Sequence, residues 1–83
     1  MQVKLKLFAT LTDYLPPNAN RNEVVLSVDD AVSISQVIDQ FNLPRHLVHL
    51  VLVNGLYVYP QERTMKTLHD GDVLAIWPPI AGG

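Results

Sequence analysis

The sequence predicts an α+β fold: a mixed sheet of four to five strands with one main helix packed on one face. Three observations carry this. Residues 2–8, Gln-Val-Lys-Leu-Lys-Leu-Phe, alternate with period two, the signature of a half-buried strand. A capped amphipathic helix signal opens at Ser33. Two apolar runs flank Asn54-Gly55, a pair whose tolerance of positive φ makes it a strong hairpin signal.

In the first strand Val3, Leu5 and Leu7 share one face, and Gln2, Lys4, Lys6 and Phe8 share the other. Residues 9–22 carry Pro16-Pro17 and three asparagines and read as a loop, with a short helical turn over residues 10–15. Glu23 to Val28 is a second strand with Val24, Leu26 and Val28 inward. Ser33 as N-cap with Gln36 three residues on forms a capping box, and Val32 and Val37 form the hydrophobic staple beside it. Ile34, Val37, Ile38 and Phe41 make one apolar stripe on a helix of about ten residues. Pro44 stops it by driving Leu43 out of the α region. His49 to Val53 reads as a largely buried strand and Leu56 to Tyr59 as a short one, with Leu56 and Val58 inward. Leu68 is a core plug, and Asp70-Gly71-Asp72 turns into a last strand, Val73 to Trp77. A right-handed crossover then lays the last strand parallel to the first in mid-sheet. That arrangement is the ubiquitin-like β-grasp, spanning residues 1–77, with residues 78–83 an extended flexible tail.

Composition narrows the function. At 83 residues the chain makes one small domain, and its 48% apolar content argues against disorder. A formal charge of −2 with no basic cluster gives no footprint for nucleic acid. No cysteine is present, which removes thiol nucleophiles and thiolate metal sites. The N-terminus alternates instead of forming a signal sequence, and no apolar run is long enough to span a bilayer. A cytoplasmic protein with no membrane partner is expected. His46, His49 and His69 lack metal-motif spacing, so no metal site is assigned. Asp29, Asp30, Asp70 and Asp72 read as cap and turn residues rather than paired carboxylates.

The sequence closes Pro78-Pro79-Ile80-Ala81-Gly82-Gly83. Neither proline donates to a ladder, and the pair favours the extended polyproline conformation. Six residues of it project about 19 Å. Gly82 and Gly83 have no side chains, so a narrow tunnel admits them. Outward parity on the strands puts Phe8, Tyr57 and Trp77 on the open face of the sheet, where the tail leaves, as a candidate partner-docking patch.

The β-grasp pattern, Asn54-Gly55, Asp70-Gly71-Asp72 and the Pro-Pro-Ile-Ala-Gly-Gly ending together resemble the MoaD/ThiS small sulfur carriers over the whole chain. The Pro-Pro pair is more similar to the small subunit of molybdopterin synthase than to the thiamine carrier. The Leu15-Pro16-Pro17 loop and the short helix depart from that pattern, so thiamine and cysteine pathways stay open. The resemblance implies that chemistry happens at the Gly83 carboxylate. A ubiquitin-activating-type adenylyltransferase spends ATP on it, and a sulfur donor leaves a thiocarboxylate. The tail, Pro78 to Gly83, enters the partner, and a sulfur-accepting synthase subunit receives the sulfur. The carrier binds no cofactor and is a protein co-substrate rather than an enzyme. The resemblance also implies apolar partner contacts at positions matching the aromatic patch. A protein modifier joined to lysine through Gly83 fits the same residues, and a non-conjugating β-grasp binding module is a third reading.

Overall fold

Alternation over the first residues yields β1 (Gln2–Leu7), with Val3, Leu5 and Leu7 buried in a computed structural model that describes residues 1–80. Ala81, Gly82 and Gly83, and with them the expected acyl site, lie outside the described residues. β2 (Glu23–Ser27) runs antiparallel to β1, setting Leu26 opposite Val3 and Val24 opposite Leu5. Val28 falls one residue past β2 and is only half-buried. Between the two strands, Ala9–Tyr14 forms a 3-10 helix that plugs the core with Leu11.

The helix α1 (Ile34–Gln40) starts as its sequence dictates. The Gln36 N–H donates to Ser33 Oγ at 3.1 Å, and the Ser33 N–H donates to Gln36 Oε1 at 2.8 Å. The segment after residue 60 adds to this: the Ile34 and Ser35 N–H groups donate to the carbonyls of Lys66 and Arg63. The start therefore leaves few of its orphan donors unpaired.

The end differs from expectation. α1 has seven residues, not about ten, and Phe41 is its half-buried C-cap rather than a fully buried position of the stripe. Asn42 takes φ +55°, the Leu43 N–H donates to Ile38 O, and the Asn42 N–H donates to Asp39 O. This is a Schellman motif. It swings Leu43 into the core, at 5% exposure, in the place the stripe assigned to Phe41.

β3 (Leu50–Val53) and β4 (Leu56–Tyr57) flank Asn54-Gly55, with φ of +52° and +83°, the left-handed pair of a type I′ hairpin. Both strands correct the sequence reading. β3 begins one residue late and alternates, with Val51 and Val53 buried and Leu50 and Leu52 half-buried on the opposite face. Leu56 is 74% exposed rather than inward, although Val58 is buried as expected. The sheet order is β2-β1-β5-β3-β4, so Leu56 lies on an edge strand. A helix about 10 Å across covers roughly two strands spaced about 4.8 Å apart, which leaves that edge bare.

β5 (Val73–Trp77) lies between β1 and β3, parallel to β1 and antiparallel to β3. Its middle residues Leu74 and Ile76 are fully buried. The fold class is thus the expected one: a mixed five-stranded sheet with one main helix on one face. Among the described residues no helix is long and apolar enough to cross a membrane.

Candidate functional site

The C-terminal segment leaves from the middle of the sheet, and its root is held from both sides. The Phe8 N–H donates to Ile76 O at 3.2 Å, and the His49 N–H donates to Trp77 O at 3.0 Å. Pro78 and Pro79 have no N–H to continue the ladder, and β5 stops at Trp77. Pro78 is half-buried, Pro79 is exposed and Ile80 is 82% exposed. Apolar Ile80 therefore stands in solvent just beyond a fixed point.

Pleating decides what surrounds that point. β5 pairs Ile76 with Leu7 and Trp77 with Leu50, so Phe8, Trp77 and Leu50 fall on the face that carries no helix. The Phe8 and Trp77 rings stack, with centroids 4.0 Å apart and planes 7° from parallel. Both side chains are half-buried by this contact, and the pair roofs the end of the β1–β5 ladder.

Tyr57 shares the face but not the stack. It pairs with Leu52, which pairs with Ala75, so it lies two strands over and one two-residue step back. Its ring instead meets Tyr59 edge-on, with centroids 4.9 Å apart. The structure thus joins two of the three expected aromatics and sets the third two strands from Trp77, about 12 Å along the diagonal.

Between them lie residues the sequence reading missed as part of this face. Leu50 and Leu52 belong to a run that the sequence presents as a largely buried strand, yet their register with Trp77 and Ala75 turns them outward. The alternating burial of β3 is the signal, and it is invisible in four consecutive apolar residues. Ala75 is only 8% exposed although no helix covers it. Its small side chain sits between Lys6 and Leu52 on the neighbouring strands, which makes a shallow apolar floor. Toward β2 the face turns charged, with Glu23 3.7 Å from Lys4 Nζ and 3.6 Å from Lys6 Nζ. His46, His49 and His69 are exposed and scattered.

The match to a family model described as Mut7-C ubiquitin covers residues 1–81. No curated protein matches the chain. Among solved structures, the HVO 2177 protein of Haloferax volcanii is similar at 26% identity, with 100% of this chain and 87% of that chain covered and a TM-score of 0.77. SAMP1 from Haloferax volcanii is similar at 24% identity with both chains fully covered and a TM-score of 0.71. A chain from the complex of subunits 1 and 2 of molybdopterin-converting factor from Helicobacter pylori shares the fold at 18% identity, with both chains fully covered and a TM-score of 0.62.

Proposed function

The chain belongs to the Mut7-C ubiquitin family, and from that premise we propose that it is a sulfur carrier working through the carboxylate of Gly83. The observation that carries this reading is the rooted segment: the end of β5 is held on both sides, Ile76 O by the Phe8 N–H and Trp77 O by the His49 N–H, and Pro78-Pro79 and exposed Ile80 continue beyond it. A spacer fixed at its base delivers its far end to a repeatable distance. That is what presenting a small acyl group to another protein's active site needs.

A carboxylate is a poor electrophile. In this proposal a ubiquitin-activating-type adenylyltransferase joins the Gly83 carboxylate oxygen to the α-phosphorus of ATP and releases pyrophosphate. A sulfide-level donor then attacks the carbonyl carbon, AMP leaves with the oxygen, and Gly83 becomes a thiocarboxylate. The carrier contributes no acid, base or metal and acts as a co-substrate in the cytoplasm. Its docking surface is the apolar half of the open face, with the Phe8–Trp77 stack nearest the tail and Tyr57 at the far edge. The acceptor is a synthase subunit in molybdopterin biosynthesis. The likeness to a chain solved in a complex of molybdopterin-converting factor subunits 1 and 2 supports that choice. A second reading, a protein modifier conjugated through Gly83, is supported by the likeness to the small archaeal modifier protein 1 of Haloferax volcanii.

Intact mass spectrometry of the protein purified from its own host tests both. The expected result is a species shifted by one oxygen-to-sulfur exchange located on Gly83. A ladder of lysine conjugates favours the modifier. Unmodified protein, from the host and after incubation with a cognate activating enzyme, ATP and sulfide, overturns the proposal.

A further inference from the structure

At the start of β3 a cavity of about 340 Å³ is walled by Arg63, Arg45, His49, Tyr57, Ser35 and Thr64, with an aliphatic remainder. That volume is at the lower end of the range for small-ligand sites. Two arginines line it and no aspartate or glutamate does.

Arg63 is the unusual member. It is 7% exposed, and a charged side chain is seldom buried without a partner of opposite sign. Its Nε donates to Val58 O at 3.2 Å, and its Nη2 donates to Val58 O at 3.1 Å and His49 O at 3.2 Å. These bonds tie the end of β4 to the start of β3, and they use three of the five guanidinium donors. A neutral amide can serve two carbonyls as well, so this tie does not account for the charge. Among the described residues no carboxylate lies within ion-pair distance of Arg63. Burial pulls its pKa down, partly offset by neighbouring Tyr57. Its Nη1 donates to no protein acceptor within hydrogen-bond distance, and among the described residues no fully buried side-chain nitrogen lacks a partner. Nη1 therefore keeps contact with open space, which for Arg63 is this cavity, beside Tyr57.

Across the cavity Arg45 is held by Asp39 through Nη2 at 3.1 Å, which leaves its other donors available. Ser35, Thr64 and Tyr57, each with a hydroxyl that can donate, also line the wall. We propose that this cavity is an oxyanion site, taking the carboxylate or phosphoryl group of a small ligand whose apolar part rests on the aliphatic wall. The planar fork of Arg63 supplies the charge-assisted contact, pre-organised by its carbonyl bonds. The site is separate from the tail chemistry, and its test does not depend on that chemistry.

The test is titration of the ¹⁵N-labelled full chain at fixed pH and ionic strength with sodium phosphate, with sodium phenylacetate, and with sodium chloride as the control. The Nε–H signals of Arg63 and Arg45 and the amides of Ser35, His49 and Thr64 are followed. The expected result is a saturable millimolar shift confined to these signals. Saturation by phosphate identifies a phosphoryl ligand, and saturation by phenylacetate alone identifies a carboxylate with an apolar body. Arg63→Gln should abolish the shift while its amide keeps the carbonyl tie. Exposed Arg45→Gln, which leaves the fold untouched, should weaken binding roughly threefold. Neither anion exceeding chloride, or wild-type binding by both variants, overturns the site.

Discussion

Asn54 does two jobs, and the second explains Asp72. Its backbone makes the left-handed turn, while its side chain reaches the start of β5: the Val73 N–H donates to Asn54 Oδ1, and Asn54 Nδ2 donates to Asp72 Oδ1, both at 2.9 Å. The other Asp72 oxygen accepts from the His69 N–H at 2.8 Å. Burial, the largest influence on this carboxyl, pushes its pKa up. The His69 and Asn54 hydrogen bonds and the charges of His69 and Lys66 together outweigh it, and the net shift is down. A depressed folded pKa gives stability that is present above the unfolded value of about 3.9 and lost as pH falls through the folded one. Asp72→Asn should therefore cost about 1 kcal/mol at neutral pH, because its amide must face either the Asn54 or the His69 donor. The gap in melting temperature from wild type should shrink below about pH 4. A gap constant from pH 7 to pH 2 would mean the carboxylate contributes nothing as a charge. The Asp70-Gly71-Asp72 turn was legible from residue types, but the bond to Asn54 was not, because it spans 18 residues that only the fold brings together.

At the scale of elements, legibility divides along the helix. Its start is written locally in Ser33 and Gln36, two residues three apart that satisfy one another whatever surrounds them. Its end is decided by a competition between Phe41 and Leu43 for one patch of core. Periodicity favours Phe41, yet the Schellman turn at Asn42 wins by packing Leu43 beside Ile38. The same limit applies to β3, where four apolar residues carry no sign of which face each takes. Ile38→Ala should cost about 2–5 kcal/mol in chemical denaturation, while half-buried Phe41→Ala should cost about 2 kcal/mol or less. Asn42→Ala must hold a β-carbon at φ +55°, a strain of about 1–2 kcal/mol, whereas Asn42→Gly should be nearly neutral. Equal losses for Ile38→Ala and Phe41→Ala would restore the ten-residue helix.

For the whole molecule, the order β2-β1-β5-β3-β4 puts the root of the C-terminal segment in the middle of the sheet, with the Phe8–Trp77 stack of the proposed docking face beside it. Among the described residues the core cluster holds nothing past Trp77, so changes in the last residues are expected to leave the body folded. Two variants exploit this. Gly82→Val keeps length and carboxylate but adds a branched side chain that blocks a narrow tunnel and forbids positive φ. It should fold normally and compete with wild type for a cognate activating enzyme, yet fail in ATP–pyrophosphate exchange, since a reacting atom misplaced by about 1 Å can cost a hundredfold. The Phe8→Ala/Trp77→Ala protein keeps the tail but loses the stacked pair. If the stack sits at the centre of the docking interface, its truncation should cost about 2 kcal/mol or more, a loss of roughly thirtyfold in competition binding. Its exchange activity should return at high carrier concentration, because the acyl group itself is unharmed. The two defects are opposite in kind, one in turnover at saturation and the other in concentration dependence. Normal exchange by Gly82→Val would defeat the slim terminus as the working part, and wild-type competition by the double variant would leave Phe8 and Trp77 as surface packing alone.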